Sequence, residues 1–356
     1  MTLIAGFIRE DGLLLLGDAL LTSDNNDFLD HPLPTMGLPN ESKSIAGLNF
    51  YVAGMCRKVV PITDQTCIVV SGDIREIQEY LNRLVNLCRP GFYSEAEILS
   101  LCEKSGLENA KFSFMFASCG DGRVNFIHHR MIMQEQSPNR RIFIAGSGQK
   151  SFNKYFLKHF RRKRTDAGDA IKGVVSLCSS LIFAQYRGEF GISERYGGFF
   201  EAIFSDEGGF KNISNVLYVY RNWWFSENSR YAKIAKEVFN TDGVNHNVEA
   251  IIYMTHVGDN MLVARWLSGD IRLSFIPSLL QHRATTFPLK FDKIDLVVET
   301  VTHGSGAPAF QMVTRGTEVL KKYSVKIDKA GYKVDIPNDI SEKMVTEIKK
   351  FTNIER

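Results

Sequence analysis

The sequence predicts an α+β fold in which two antiparallel sheets lie between pairs of helices. The first observation is the order of elements, because four apolar strands, two helices, three strands, two helices and two strands follow each other. The second is that Cys67 to Val70 is apolar on both faces, and such strands are buried where layers pack on each other. The third is size and composition: 356 residues, 44% hydrophobic and 23% charged, are typical of a globular protein with one large domain and a smaller one, or two of ordinary size.

Composition also excludes several classes of function. The net charge is only +3, so bulk electrostatics favour neither nucleic acid nor a membrane as partner. No apolar run reaches membrane-spanning length, and no basic segment precedes the apolar stretch Gly12 to Leu21 as in a secretory signal. The six cysteines form no CxxC pair or metal-ligand spacing. We therefore expect a cytoplasmic protein with reduced thiols and neither a metal nor another cofactor.

The chain begins with a predicted hairpin. Leu3 to Ile8 is an apolar strand, Asp11-Gly12 is a turn signal, and Leu13 to Leu16 is a second strand. Thr2 is small enough for removal of Met1, which would leave a threonine with a free α-amine. An α-amine has a pKa of about 7.7–8.0 and can accept the hydroxyl proton, so that one residue supplies both nucleophile and base.

The following elements alternate with turn signals. A long connection, residues 19 to 57, is rich in Asp, Asn, Pro and Gly and ends in a short apolar strand, Asn49 to Ala53. Asp73 and Ser94 begin two helices, and Asp166 or Asp169 begins a later one. The predicted strands are Arg57 to Ile62, Cys67 to Gly72, Lys111 to Cys119, Val124 to His129, Ile142 to Ala145, and a hairpin of Phe199 to Phe204 with Val216 to Tyr220 joined by Ser205 to Gly209.

Residues 226–356 are predicted to form a separate α+β segment after a first domain of residues 1–225. Its expected strands are Ala250 to Thr255, Met261 to Trp266, Ile271 to Phe275 and Ile294 to Val301, before an amphipathic helix from Asp339 to Phe351. The sequence suggests no role for this segment.

Several of these motifs together resemble proteasome β-type subunits and their bacterial relatives, which are N-terminal-nucleophile hydrolases. The resemblance covers roughly residues 2–225 and rests on Thr2-Leu3-Ile4-Ala5-Gly6, Asp11-Gly12, Leu15-Leu16-Gly17-Asp18, Thr22, the stretch from Lys58 to Gly72, and Gly146-Ser147-Gly148 before a helix. It implies a four-layer αββα sandwich and a chain that starts at its nucleophile. It also implies that residues 19 to 57 contain an insertion, which either lines the mouth of the active site or is a surface loop.

The resemblance also implies a set of catalytic residues. Thr2 would be the nucleophile, Asp18 and Lys58 the ion pair that sets the local field, Gly72 the backbone donor to the oxyanion, and Ser147 a hydroxyl that helps transfer the proton. A lysine in an apolar strand needs a compensating charge, which Asp18 would supply. Lys43 is the alternative lysine, since it requires a smaller insertion.

The sequence departs from the family at one place. Alignment on Gly197-Gly198 puts Ser193 where the family has an aspartate and Tyr196 where it has a serine. Glu189 or Glu194 could take over the role of that aspartate and orient the Thr2 amine.

The expected function is therefore a threonine-type peptidase that cleaves peptides or unfolded protein. Two alternatives stay open, an amidase for a small non-peptide substrate and a catalytically silent structural subunit. The family assembles into rings, so we expect a homo-oligomer; the sequence does not identify an unfoldase partner.

Overall fold

The computed structural model describes residues 2–9, 12–24, 33–35, 50–137, 140–150, 152–153, 167–186, 192–223, 247–267, 270–280, 294–303, 307–315, 324–328 and 331–335. Strands outnumber helices within these residues, and the α+β class expected from the sequence is confirmed. The chain divides into two compact units. The first comprises Met1–Ile213, His256–Leu262 and Ser274–Pro288, and the second Ser214–Thr255, Val263–Leu273 and Leu289–Arg356. The main run of the first unit thus ends at Ile213, whereas the sequence predicted a boundary after residue 225.

Within the described residues of the first unit, the strands form three sheets. In chain order the strands are β1 (Leu3–Arg9), β2 (Gly12–Asp18), β3 (Leu20–Ser23), β4 (Tyr51–Met55), β5 (Val59–Thr63), β6 (Thr66–Ser71), β7 (Ser113–Gly120), β8 (Arg123–His129), β9 (Ile132–Ser137), β10 (Arg140–Gly146), β11 (Phe200–Asp206) and β12 (Gly209–Asn212). One sheet has the order β12-β11-β2-β1-β10-β9, another the order β5-β6-β7-β8, and β3 pairs with β4 alone.

The described part of the chain includes three α-helices, α1 (Ile74–Leu87), α2 (Glu95–Ser105) and α3 (Ala167–Tyr186). The Asp73 carboxylate accepts hydrogen bonds from the second and third amides of α1, and Ser94 forms a capping box with Glu97 at the start of α2. The predicted Asp73 cap and the predicted start of the second helix at Ser94 are therefore confirmed. Of the helix expected after Gly148, only residues 152–153 are described, and the terminal helix from Asp339 lies outside the described residues.

Alternation along the strands explains how the layers of the first unit pack. One face of the four-stranded sheet packs against the six-stranded sheet through a core of Ile4, Leu13, Leu15, Val59, Cys67, Val69, Met115, Ala117, Cys119, Met131, Phe143, Ala145, Ile203 and Phe210. Its opposite face packs against α1 and α2 through residues that include Val60, Ile68, Val70, Ile77, Leu81, Leu84, Ile98 and Leu101. Helix α3 packs against β11. The buried, doubly apolar strand β6 is thus covered on both faces, as the sequence predicted.

The predicted hairpin of Phe199 to Phe204 with Val216 to Tyr220 is wrong. The Gly208 amide donates to the Asp206 carboxylate at 2.9 Å, and the resulting tight turn places β12 opposite β11. The strand β13 (Val216–Trp223) belongs to a different six-stranded sheet, where it pairs antiparallel with β14 (Asn247–Val257) and parallel with β17 (Leu296–His303). Because the turn after β11 is tighter than expected, β12 takes the place predicted for Val216 to Tyr220, and that apolar run joins another sheet.

The strands of that sheet confirm the four predicted for the C-terminal segment and add others. They are β14 (Asn247–Val257), β15 (Asn260–Leu267), β16 (Asp270–Ile276), β17 (Leu296–His303) and β18 (Ala307–Arg315), with the order β16-β15-β14-β13-β17-β18. A separate pair consists of β19 (Ser324–Asp328) and β20 (Gly331–Asp335). Among the helices in the described ranges, none is both long and apolar enough to cross a membrane.

Candidate active site

The centre of the candidate site is the carboxylate of Asp18, the last residue of β2, which is fully buried. Its Oδ1 accepts hydrogen bonds from the Thr2 hydroxyl, from the Leu3 amide at 3.0 Å and from Lys58 Nζ at 2.8 Å. Its Oδ2 accepts from the Gly197 amide at 2.6 Å. Every partner is a donor, so the arrangement suits an ionised carboxylate that has lost its water but not its hydrogen bonds.

Lys58 lies directly before β5, and only 5% of its surface is exposed. Its ammonium donates to Asp18 and to the Leu20 carbonyl at 2.6 Å. Burying an ammonium costs several kcal/mol unless it is paired and hydrogen-bonded, and here both conditions hold. The predicted contact between Lys58 and Asp18 is therefore present in the structure.

Thr2 lies immediately before β1 and is 1% exposed. The pairing of β1 with β10 places Leu3 opposite Gly146. A Cβ atom on Gly146 would lie 1.7 Å from the Thr2 carbonyl oxygen, and the φ angle of Gly146 is +102°. Only glycine tolerates both conditions, so the Gly146-Ser147-Gly148 motif is a close-approach site beside Thr2.

Ser147, which follows Gly146, has an unusual hydroxyl group. Its Oγ is buried and has no hydrogen-bond partner within the part of the chain that the structure describes. The ring of Tyr196 covers the neighbouring Gly148, where an added Cβ would lie 2.7 Å from the ring. A buried hydroxyl without a partner is costly, and such groups are found where a substrate or another group completes the hydrogen bonding.

Gly72 directly follows the last residue of β6. It comes two residues after Val70, whose amide donates to the Lys58 carbonyl at 3.0 Å. A Cβ on Gly72 would lie 2.3 Å from Cβ of Phe112, so packing alone demands a glycine here. Its role as an oxyanion donor stays a prediction.

The residues at which the sequence departs from the family are only partly described. Tyr196, which the resemblance aligns with a serine, is fully buried, and its ring packs on Gly148. Ser193 belongs to a short 3-10 turn, Ile192–Glu194, but its side chain is outside the description. Glu189 and the alternative lysine Lys43 lie outside the described residues.

The structure brings in two further residues that sequence reasoning missed. Gly197 supplies the amide that binds Asp18 Oδ2, and its φ of +117° favours glycine. Thr35, from the long connection between β3 and β4, donates its hydroxyl to the Gly198 carbonyl at 3.3 Å. The Gly197-Gly198 pair was a visible signal in the sequence, whereas Thr35 had none.

A second buried ionic cluster lies next to Lys58. Arg57 Nε is 2.7 Å from Glu201 Oε2, His256 Nε2 is 3.5 Å from the same oxygen, and all three side chains are at least 95% buried. Burial alone would raise the pKa of Glu201, but Arg57 and His256 outweigh it and hold that pKa below its usual value. Burial lowers the pKa of His256; Glu201 opposes this effect and Arg57 adds to it. Near neutral pH His256 is therefore a neutral hydrogen-bonding group.

Other chemistry near the site is restricted. Burial raises the pKa of Cys56, which is close enough to feel Lys58 and Asp18, to about 12, so that its thiol stays protonated and is a poor nucleophile. Across the described ranges, no group of three or more His, Cys, Asp or Glu side chains could hold a metal ion.

Comparison with models of known protein families returns no match, and comparison with curated protein sequences also returns none.

Proposed function

We propose that the chain is an N-terminal-nucleophile hydrolase that cleaves peptide bonds with Thr2 after removal of Met1. One observation carries this proposal: the Thr2 hydroxyl and the Lys58 ammonium bind the same buried oxygen of Asp18. A hydroxyl becomes a useful nucleophile when its developing negative charge is met by a fixed cation and its proton has an acceptor nearby. Thr2 would have both, once its own α-amine is free.

The proposed reaction proceeds in two steps. The α-amine takes the hydroxyl proton as Thr2 Oγ attacks the carbonyl carbon, and the oxyanion would bind the Gly72 amide. The C–N bond of the substrate then breaks, the proton passes to the leaving amine with help from Ser147, and an ester remains on Thr2. Water attacks the ester carbonyl, the C–O bond to Thr2 breaks, and the hydroxyl and amine are restored.

The fold that goes with this function is the four-layer αββα sandwich of the proteasome-like hydrolases. The packing of α1 and α2 on one sheet, of that sheet on the other, and of α3 on β11 supports the proposal. By the same resemblance we propose a cytoplasmic homo-oligomeric ring whose substrates are peptides or unfolded proteins.

The test combines the intact mass of the amino terminus with cleavage of a peptide library by the full chain. We expect Met1 to be absent, and we expect Thr2→Ala to lower kcat/KM by at least about 10³-fold, since removal of a nucleophile usually costs this much or more. Thr2→Ser should keep measurable cleavage because it preserves the hydroxyl. Thr63→Ala, which removes a hydroxyl bonded to Thr66 in the β5–β6 hairpin, is the matched control and should cleave at the wild-type rate.

Three outcomes would contradict the proposal in different ways. Retained Met1 would leave no free amine on Thr2. Cleavage by Thr2→Ala at the wild-type rate would mean that another group is the nucleophile. Hydrolysis of small amides without hydrolysis of any peptide would instead identify an amidase.

A further inference from the structure

Glu201 binds both neighbours of Lys58. Its Oε2 is 2.7 Å from Arg57 Nε, and its Oε1 accepts the Val59 amide at 3.3 Å. Glu201 lies in β11 of the six-stranded sheet, and Val59 begins β5 of the four-stranded sheet. One buried carboxylate therefore joins the two sheets, and it does so through the residues directly before and after Lys58.

The register of β2 with β11 gives this contact a second consequence. Phe200 pairs with Asp18 and Glu201 pairs with Gly17, so the acceptors of Lys58 and Arg57 occupy neighbouring positions of one ladder. Two adjacent cations thus meet two adjacent carboxylates. A slip of one residue between β2 and β11 would turn Glu201 to the opposite face of the sheet and away from Arg57, so the two ion pairs together favour a single register.

The chain at Lys58 and Val59 also lies very close to β2. A Cβ added to Gly17 would lie 3.0 Å from Val59 Cγ2 and 3.4 Å from Lys58 Cβ. Lys58 can therefore reach Asp18 only while the chain from residue 57 to residue 59 stays close to β2. Glu201 is the group that binds that chain at both ends.

The remaining donors of Arg57 bind residues far away in sequence. Its Nη1 donates to the Asp259 carbonyl at 2.5 Å, its Nη2 donates to Asn212 Oδ1 at 2.9 Å, and its backbone amide donates to the Pro277 carbonyl at 2.8 Å. Asp259 and Pro277 lie in the two stretches of the C-terminal half that belong to the first compact unit. His256, from the first of these stretches, contacts Glu201 itself.

We propose that Glu201 is a positioning residue for Lys58, and that the stretches around His256–Asp259 and Pro277 complete this positioning by binding Arg57. The inference rests on the proposed function, in which Lys58 sets the field around Thr2. It assigns a task to part of the C-terminal half, for which the sequence suggested none.

The experiment uses Glu201→Gln in the full chain and has two readouts. Glutamine keeps the size of the side chain but loses the charge that holds Arg57. We expect kcat for peptide cleavage to fall about 10- to 100-fold with KM within about twofold, because a displacement of about 1 Å in a catalytic group can cost this much. We also expect acetic anhydride to acetylate Lys58 about fivefold faster or more, measured by peptide mass spectrometry against the exposed Lys104 and Lys111.

A matched control separates positioning from general loss of stability. Arg221 and Glu299 form another buried pair, 2.9 Å apart, so Glu299→Gln removes the same charge from a similar environment. It should leave kcat and the acetylation of Lys58 at wild-type values when compared at equal folded fraction. Equal changes in both variants would overturn the proposal.

A milder variant covers the case in which Glu201→Gln does not fold. Asn212→Ala removes one acceptor of Arg57 and should raise Lys58 acetylation in the same direction by a smaller factor; unchanged acetylation and kcat would overturn the proposal. Failure of the proposed function looks different, since Thr2→Ala would then cleave like wild type. The acetylation readout requires no catalysis and still decides whether Glu201 holds Lys58.

Discussion

The two compact units each contain a buried arginine–glutamate pair, and the pairs resemble each other closely until their surroundings are compared. Arg57 and Glu201 are 2.7 Å apart with side chains 1% and 2% exposed, whereas Arg221 and Glu299 are 2.9 Å apart and 3% and 0% exposed. Taken alone, either pair is only weak evidence for stability, because desolvation offsets much of the attraction between the charges.

The pairs differ in what they connect. Arg221 and Glu299 lie on β13 and β17, which are neighbours in one sheet and are already joined by a parallel ladder. Glu201 lies in one sheet, and Arg57 leads into the other. The Arg221–Glu299 pair therefore reinforces a connection that the backbone already makes, while the Arg57–Glu201 pair holds together elements that no ladder joins. The comparison teaches that burial and distance do not reveal the task of an ion pair, whereas topology does.

The largest expected effect comes from the Asp18–Lys58 ion pair, which lies next to Arg57 in the sequence. Lys58→Met leaves the Asp18 carboxylate buried without its cation, so we expect the free energy of unfolding to fall by about 3–5 kcal/mol and peptide cleavage to be lost. Urea denaturation and a cleavage assay measure the two effects. If the Asp18–Lys58 pair matters only for stability, the loss of cleavage should not exceed the loss of folded protein.

Adding Asp18→Asn to Lys58→Met is the control for that prediction. The double variant has no uncompensated charge, so stability should recover in part while cleavage stays absent. Recovery of cleavage along with stability would show that neither charge takes part in the reaction.

A smaller effect concerns the pH dependence of stability, because the buried His256 contacts Glu201. The pKa of folded His256 lies below its ordinary value of 6.5, so below about pH 6.5 the unfolded chain binds the extra proton first. Its contribution to stability is therefore fully present above about pH 6.5 and is lost as the pH falls towards the lower pKa of the folded state. The slope from this one group reaches at most about 1.4 kcal/mol per pH unit.

His256→Gln should reduce that slope. Denaturation of both proteins in urea at several pH values between about 7 and 5 provides the comparison. Glu299→Gln, which alters the other pair, should keep the steeper slope of the wild type over the same range. Identical slopes for His256→Gln and wild type would show that His256 does not titrate differently on folding.

The smallest expected effect concerns Thr35. Its hydroxyl donates to the carbonyl of Gly198, the residue after Gly197, whose amide binds Asp18. Thr35→Val removes a 3.3 Å hydrogen bond, so we expect a loss of about 1 kcal/mol in unfolding free energy and less than about a tenfold loss in cleavage. Thr35→Ser keeps the hydroxyl and serves as the control. A larger loss of cleavage than Glu201→Gln produces would mean that the connection between β3 and β4 contributes more to the site than the Arg57 contacts do.

One ion pair of the candidate site and most of the strands could be predicted from the sequence, whereas the sheet that each strand joins could not. The contact between Asp18 and Lys58 and the closeness of the Gly146-Ser147-Gly148 motif to Thr2 follow from a pattern of residues in order along the chain, and both are present in the structure. The placement of β13 was wrong because an apolar strand carries no label for the sheet that it will join. Glu201 was missed because a single charge in an apolar strand indicates burial of a partner without saying which residue that partner is.

By itself, the sequence determined the features that depend on neighbours along the chain. The β1–β2 hairpin, the Asp73 and Ser94 caps and the strands after residue 247 arise from turn residues, capping side chains and apolar alternation within a few positions. Only the tertiary structure decided that Glu201 would bind both neighbours of Lys58, and that Asp259 and Pro277 would return to Arg57. Those contacts join residues separated by as many as 220 positions, and their free energy depends on burial that exists only after the sheets have packed.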